Sequence, residues 1–583
     1  MRRRSWRAQQ GAVVRLHYPA GMRRATLLMP GLLAALVVRP ASAAPLPVLP
    51  SAGSELQQLT PVPQAAPKSA PDLPAAAAPE RSPVATTDNT RIRVHALRIS
   101  GNRQFDQATL VQAASFSVDH VYTLAQLREL ALNITRFYRA QGYFVASAVL
   151  PAQDIVNDEV HLQVIEGQFG QTTLRNTSAV RDSTVAGLLG AVQSGQLIAL
   201  APLERALLLL NDLPGATARG TLVAGADAGT SDLLVDLASS ARISGLVDLD
   251  NQGSRATGTR RAGAALTLNE LAGLGDSANL RVQQAIQGLT YARGAWQAQW
   301  QQARLGAAYT DVQYRLGDTF SPLRAHGSAT VDSLYAIYPL VRERERNLNL
   351  QVGWDRKTFH DQVDSTASVT DKAARVWTGT LSGGTPDRLV GSAYDTGSIT
   401  WTSGRLDIRS PDALAADVQG GGTNGHYDKV GFNAVRQQWL GSVGLLNLAV
   451  SGQLSSHNLD ASEKFTLGGA DGVRAYPPGE ANGDQAILIS AEFRHPLASA
   501  WAALPGQWQA VLFADTGRSW LSRFPATSGD NQRTLSDLGM GLGWSFASEA
   551  QVRFSLAHKL GSQRATSAPD AAVRAWLQGV LFF

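Results

Sequence analysis

The chain has 583 residues, 17% of them charged and 44% hydrophobic, with 54 glycines and no cysteine. That length points to more than one domain, and the glycine content suits a β-rich protein with many turns. Lack of cysteine excludes disulfides, thiolate nucleophiles, thiolate metal sites and a lipid-modified N-terminal cysteine, while a net charge of +5 without a basic stripe argues against nucleic acid.

Arg2, Arg3, Arg4, Arg7, Arg15, Arg23 and Arg24 form a basic leader, followed by an apolar run from Leu27 to Val38 that Pro30 and Gly31 interrupt. Ala41-Ser42-Ala43 then supplies the small residues of a cleavage site, so residues 1–43 are expected to be an export signal. A membrane anchor would need about 20 apolar residues. Residues 44–90 read as a Pro/Ala-rich linker that cannot bury a core. Its one helical island, around Ser54 to Leu59, is short.

Residues 91–167 read β-α-α-β-β. Ile92 to Ile99 forms a strand ending at the turn Gly101-Asn102, and Asp106 to Phe116 a helix. Thr123-x-x-Gln126 opens a second helix as a capping box. Leu124, Leu127, Ala131, Ile134 and Tyr138 then recur at helical spacing until Gly142. Two strands follow, the second alternating Val160, Leu162 and Val164 against His161 and Gln163.

Residues 168–240 repeat this plan, with a strand at Thr173-Leu174, a helix from Ser183 to Ala191, and a helix that Pro202 opens. A hairpin with a Gly-Ala-Asp loop completes the unit. Two consecutive units with one order of elements constitute an internal repeat.

Residues 241–583 show no convincing helix and alternate repeatedly. Leu446, Leu448, Val450 and Leu454 oppose Asn447, Ser451 and Gln453; Ala278, Leu280 and Val282 oppose Asn279, Arg281 and Gln283. Leu538, Met540, Leu542, Trp544 and Phe546 alternate with glycines and Ser545, and the last strand aligns Leu577, Leu581 and Phe583. With an export signal, this pattern predicts a transmembrane β-barrel, about 16 antiparallel strands at ~20 residues each with connections. Such a barrel encloses a lumen that something must line or plug.

The segment EKFTLGGADGVRAYPPGE, residues 463–480, is a Gly/Pro-rich loop with a single arginine among aromatics. Together with FADTG at residues 513–517, it resembles the sixth extracellular loop (Val-Arg-Gly-Tyr) and the Phe-x-Asp-x-Gly strand of the two-partner secretion transporters of haemolysin and filamentous-haemagglutinin type. LLLLNDLPGATARGTL resembles their second polypeptide-transport-associated (POTRA) domain, and residues 248–280 their first barrel hairpin. The resemblance covers residues 91–583. It implies α+β POTRA domains at 91–167 and 168–240 in the periplasm, then a transmembrane barrel at 241–583. It further implies that Arg474 pairs with Asp515 in the lumen. Val473, Tyr476, Phe513 and Gly517 complete this loop-lumen lock, and Phe465 and Tyr476 shield it from water. An arginine is tolerable there when a carboxylate receives its guanidinium through two hydrogen bonds. Ala475 stands where the family usually has glycine, which predicts strain if the position requires positive φ. The family's plug helix has a counterpart only in Ser51 to Thr60.

The implied function is translocation of an exported partner, a large β-helical exoprotein, captured by POTRA edges within residues 91–240. The implied setting is outer-membrane lipid, a monomer, and insertion by the barrel-assembly machinery through C-terminal Phe583. A barrel-insertion factor is the alternative within the superfamily, and a porin or hydrolase outside it.

Other motifs carry less. Gly420-Gly421-Gly422-Thr423-Asn424-Gly425 lacks the strand-helix context of a dinucleotide site. Asp248, Asp250 and Gly253 suggest a calcium loop, but its twelfth position falls on Thr259. Ser545, Ser555 and His558 read as strand residues rather than a hydrolase pair, and Arg342 to Arg346 as a solvated charge run at a strand end. No metal, cofactor or catalytic residue is expected.

Overall fold

A computed structural model describes residues 49–59, 90–497 and 505–583. The expected export signal and most of the linker lie outside these residues. Helix α1 (Ala52–Gln57) starts at Ser51, whose hydroxyl accepts from the Ser54 N–H while Ser54 caps the Ser51 N–H. The short island of the sequence is therefore a real helix, fixed by a reciprocal cap.

The first α/β domain comprises β1 (Arg91–Val94), β2 (Ala96–Ser100), α2 (Gln107–Ala114), β3 (His120–Thr123), α3 (Leu124–Ala140), β4 (Ser147–Val149) and β5 (Glu159–Ile165). β2 runs parallel to β5, and β4 antiparallel to it. The single strand expected at Ile92 to Ile99 is broken at His95, and its first half pairs with β3, which local pattern did not announce. The capping box of α3 forms as expected. Leu127, Leu130, Ala131, Ile134 and Tyr138 bury one face of α3 against Val160, Leu162 and Val164. Glu166 is buried beneath them and accepts from the Arg103 and Gln104 N–H groups and the Tyr138 hydroxyl at 2.7, 2.8 and 2.8 Å. Burial and Glu166 push the Tyr138 phenol above its ordinary pKa.

The second domain has β6 (Gln168–Asn176), α4 (Asp182–Leu188), α5 (Leu200–Asn211), β7 (Ala216–Ala224) and β8 (Thr230–Ser239) in a β6–β8–β7 sheet. Pro202 sits in the first turn of α5. Leu203, Ala206, Leu207 and Leu210 pack on Ala218, Leu233, Val235 and Leu237.

Sixteen antiparallel strands then close into a barrel. β9 (Ile243–Asp250), β10 (Arg261–Asn269), β11 (Ser277–Ala285) and β12 (Leu289–Trp300) begin it. The wall continues through β13 (Ala303–Arg315), β14 (Ala325–Arg342), β15 (Asn347–Val363) and β16 (Ser368–Asp387). β17 (Ser392–Ile408), β18 (Gly425–Trp439), β19 (Leu445–Ser455) and β20 (Gln485–Leu497) follow. β21 (Gln507–Trp520), β22 (Gln532–Phe546), β23 (Ala550–Leu560) and β24 (Val573–Phe582) complete it, β24 pairing with β9 from Gln578–Asp250 to Phe582–Leu246.

Burial is inverted relative to a soluble protein. Leu280, Val282, Leu538, Met540, Leu577, Leu581 and Phe583 are exposed on the outer face, while Asp248, Arg281, Asp250 and Arg261 are buried inside. Exposed Trp300, Tyr338, Trp439 and Phe546 lie toward the strand ends on the side of the two α/β domains, as in an interfacial aromatic girdle.

The barrel region is not helix-free, however. α6 (Pro411–Gln419) lies between β17 and β18, with Pro411 at its first turn and Gly420 just beyond. These are ordinary start and stop signals that strand alternation on either side obscured.

Candidate functional site

Loop 456–484 leaves β19 on the side opposite the α/β domains and folds back into the lumen. Phe465 and Gly483 exchange backbone hydrogen bonds at 2.8 and 2.9 Å, and the Val473 N–H bonds the Leu467 carbonyl at 2.7 Å, so the loop is a tight hairpin. Leu467, Val473 and Tyr476 are fully buried, in one cluster with Leu488, Phe513 and Leu535.

At its tip Arg474 Nε and Nη2 donate to Asp515 Oδ2 and Oδ1 at 2.8 and 3.1 Å. Nη1 reaches Glu492 Oε2 at 2.7 Å, and the guanidinium lies 3.5 Å from the Phe513 ring centroid. Ser490 donates to Asp515 Oδ1 at 2.6 Å. This is a bidentate, π-stacked ion pair with its remaining valences satisfied, the form in which a buried arginine is tolerated.

The structure thus brings Val473, Arg474, Tyr476, Phe513 and Asp515 together. Gly517 lies two residues along β21, where a Cβ would fall 2.8 Å from Leu467 Cδ2; glycine there lets the loop approach the wall. The shield differs from expectation. Phe513 covers the guanidinium, while Tyr476 points elsewhere and donates to the Gln563 carbonyl at 3.1 Å. Ala475 is not strained either: positive φ in this loop falls on Gly469, Gly479 and Ala481, at 124°, 75° and 55°.

Several loop contacts were missed. Glu463 receives Lys357 and Lys429 at 2.6 and 2.9 Å, Asp460 receives Lys372 at 2.7 Å, and Arg533 reaches Glu480. Charged residues at inward positions of β15, β16, β18 and β22 were the available signal, since a lumen charge needs a partner. Glu492 could have been found the same way, two residues from Ser490 on β20.

α1 lies inside the barrel against the same loop. The Ala52 N–H donates to Asp361 Oδ1 at 2.7 Å, Thr257 donates to buried Glu55 at 2.9 Å, and Gln57 Nε2 donates to the Ser462 carbonyl. Leu56 and Leu59 pack near Val312, Tyr314 and Phe359. Helix and loop together occupy the lumen.

Other expected features resolve differently. Asp248 and Asp250 are taken by Arg281 and Arg261. Ser555 and His558 fall on opposite faces of β23. The Gly420–Gly425 segment is the turn after α6. The charge run at β14 is not simply solvated: Arg342 makes a bidentate pair with Asp212 of the second α/β domain at 2.7 and 2.8 Å, and Arg344 approaches Glu204. At the same junction Glu270, in the turn after β10, is 2% exposed and lies close to a second carboxylate, Asp276. Burial and the neighbouring Asp276 push its carboxyl up to about 7.

Comparison with known proteins supplies an independent measure. The family model "Haemolysin secretion/activation protein ShlB/FhaC/HecB" matches residues 229–546, and that for the ShlB-type POTRA domain matches residues 92–167. The heme/hemopexin transporter protein HuxB of Haemophilus influenzae is 28% identical over 449 residues, 75% of this chain and 78% of its own. The outer membrane transporter CdiB of Dickeya dadantii is 23% identical over 385 residues, 60% of this chain and 63% of its own. Among solved structures, CdiB from Escherichia coli superposes with TM-score 0.70 at 18% identity, covering 88% of this chain and 94% of that one.

Proposed function

Because the chain belongs to the haemolysin secretion/activation family, whose members are two-partner secretion transporters of the outer membrane, we propose that the Arg474–Asp515 lock and α1 govern passage through its lumen. The protein translocates an exported partner through its barrel, and membership sets it among transporters rather than barrel-insertion factors.

The observation that carries the proposal is a hollow, polar barrel filled by a folded-back loop and a docked helix instead of a packed core. In this reading both must move aside when the partner enters. The partner is a large β-helical exoprotein whose folding outside gives direction, the transporter works as a monomer, and exposed Phe583 serves its insertion by the barrel-assembly machinery. Capture occurs by strand addition to a POTRA edge. The β7 edge suits it: Asn211 brackets the Ala218 N–H and carbonyl at 2.9 Å each, so by two-residue alternation Leu222 also points its main chain outward. Leu222→Pro deletes that outward donor, and unchanged partner binding by the full-length variant would remove β7 from the reading.

The lock is tested by secretion of the cognate partner from cells carrying Arg474→Gln or Asp515→Asn. Both variants insert as barrels and fail to secrete. Normal secretion by both would overturn the assignment.

A further inference from the structure

The lock holds Arg474 by its side chain, yet the peptide unit joining Arg474 to Ala475 is gripped as well, from two other strands. The Ala475 N–H donates to Asp537 Oδ2 on β22 at 2.6 Å. The carbonyl of Arg474, the other end of the same peptide plane, accepts from Trp576 Nε1 on β24 at 2.7 Å. Both wall residues are buried, Asp537 at 1% and Trp576 at 4% exposure.

Asp537 has no cation of its own. It faces Asp515 in register across β21, but Arg474 divides its donors between Asp515 and Glu492, and Arg494 also serves Glu492. On β23 the residue in register is Lys559, whose Nζ is taken by both oxygens of Asp570 at 2.7 and 2.8 Å. The neighbour of the Asp537 side chain on β21 is therefore another carboxyl, Asp515, and not a cation. A buried carboxyl set beside a second carboxyl, with no cation of its own and one oxygen on the Ala475 N–H, is not explained by barrel stability.

We propose that Asp537 and Trp576 form a peptide clamp that sets the plane of the Arg474–Ala475 unit, so that the guanidinium meets Asp515 edge-on. Asp537 is a positioning residue that reads main chain, so it needs an acceptor oxygen, not a negative charge. A peptide fixed at both ends cannot rotate, and a fork-shaped pair depends on orientation more than on proximity.

The test is partner secretion by the full chain, with loop position read by maleimide labelling of Ala470→Cys, the sole thiol in a protein without cysteine. Asp537→Ala loses secretion at least tenfold and labels faster, while its heat-modifiable barrel migrates as wild type. Asp537→Asn, which keeps an acceptor oxygen, stays within about twofold of wild type. Trp576→Phe reproduces the loss should Asp537→Ala insert poorly, and the double variant is no worse than either single one because both act on one peptide. Normal secretion and labelling by Asp537→Ala and Trp576→Phe would overturn the clamp, as would equal loss in Asp537→Asn and Asp537→Ala. The clamp rests on the Arg474 lock, and Arg474→Gln separates the two. Normal secretion there removes the lock itself, whereas loss there with normal secretion by Asp537→Ala removes the clamp alone.

Discussion

Introducing a side chain at Gly53 should drive α1 out of the lumen. A Cβ at this position would lie 2.9 Å from Ser462 Cβ, 3.0 Å from its backbone nitrogen and 3.2 Å from its Cα, so the obstruction is largely main chain and cannot swing away. Overpacking of this kind costs about 1–3 kcal/mol. The helix is held by three hydrogen bonds to the wall and loop, each contributing ~1 kcal/mol net, so the clash is comparable with the polar grip. At about 1.4 kcal/mol per tenfold, docking of α1 weakens by roughly 5- to 150-fold in Gly53→Leu. Purified protein in planar lipid bilayers reads this as a rise of the same order in the ratio of open to closed time. Gly53→Ala should give a smaller rise, and adding Ser462→Gly should partly reverse it by removing the nearest atom. Gly53→Leu channels that conduct as wild type would refute both the clash and the view of α1 as an obstruction.

Glu463→Gln leaves Lys357 and Lys429 buried without their carboxylate, and should cost about 3–5 kcal/mol, seen as a lower heat-modification temperature and faster proteolysis of loop 456–484. Glu166→Ala strands two backbone N–H groups and the Tyr138 hydroxyl in the first α/β domain, for about 2–4 kcal/mol in denaturant unfolding of that domain. Glu270 titrates near 7 when folded, against 4.5 ordinarily, so the folded state binds a proton that the unfolded state has released. Stability from this group is full below about 4.5, falls as pH rises toward 7 and is flat above. Denaturant midpoints of wild type should decline across that window more steeply than those of Glu270→Gln, and parallel profiles would contradict the assignment.

Much of the barrel was legible because lipid outside and water inside impose a two-residue period on every strand, as in Leu538 to Phe546. The pair Arg474–Asp515 was legible through the resemblance of the loop and of the FADTG strand to the family motifs; the residues alone said only that an arginine in a lumen needs a carboxylate. What escaped notice depends on contacts distant in sequence. β3 is four residues long and exists because β1 pairs with it. α1 is too short to be stable on propensity and forms against Asp361, Thr257 and Ser462. Asp537 reads in sequence as one polar residue of an alternating strand, and only the folded loop reveals the amide it holds. Strain was expected at Ala475 from side-chain size, whereas the hairpin turns its left-handed residues elsewhere.

The wall is uneven in height. β16 runs for 20 residues and β15 and β17 for 17 each, while β9 has 8 and its closing neighbour β24 has 10. A tilted strand needs about 9–11 residues to cross the hydrocarbon layer. Where the ring closes, β9 is shorter than that span and β24 only matches it, while the strands opposite exceed it, and a short span is accommodated by thinning of the lipid beside it. Depth of spin labels at Leu249 and Leu381 would measure the difference. Strand length alone thus makes the closing seam the place where thinner lipid is expected, and equal label depths would contradict it.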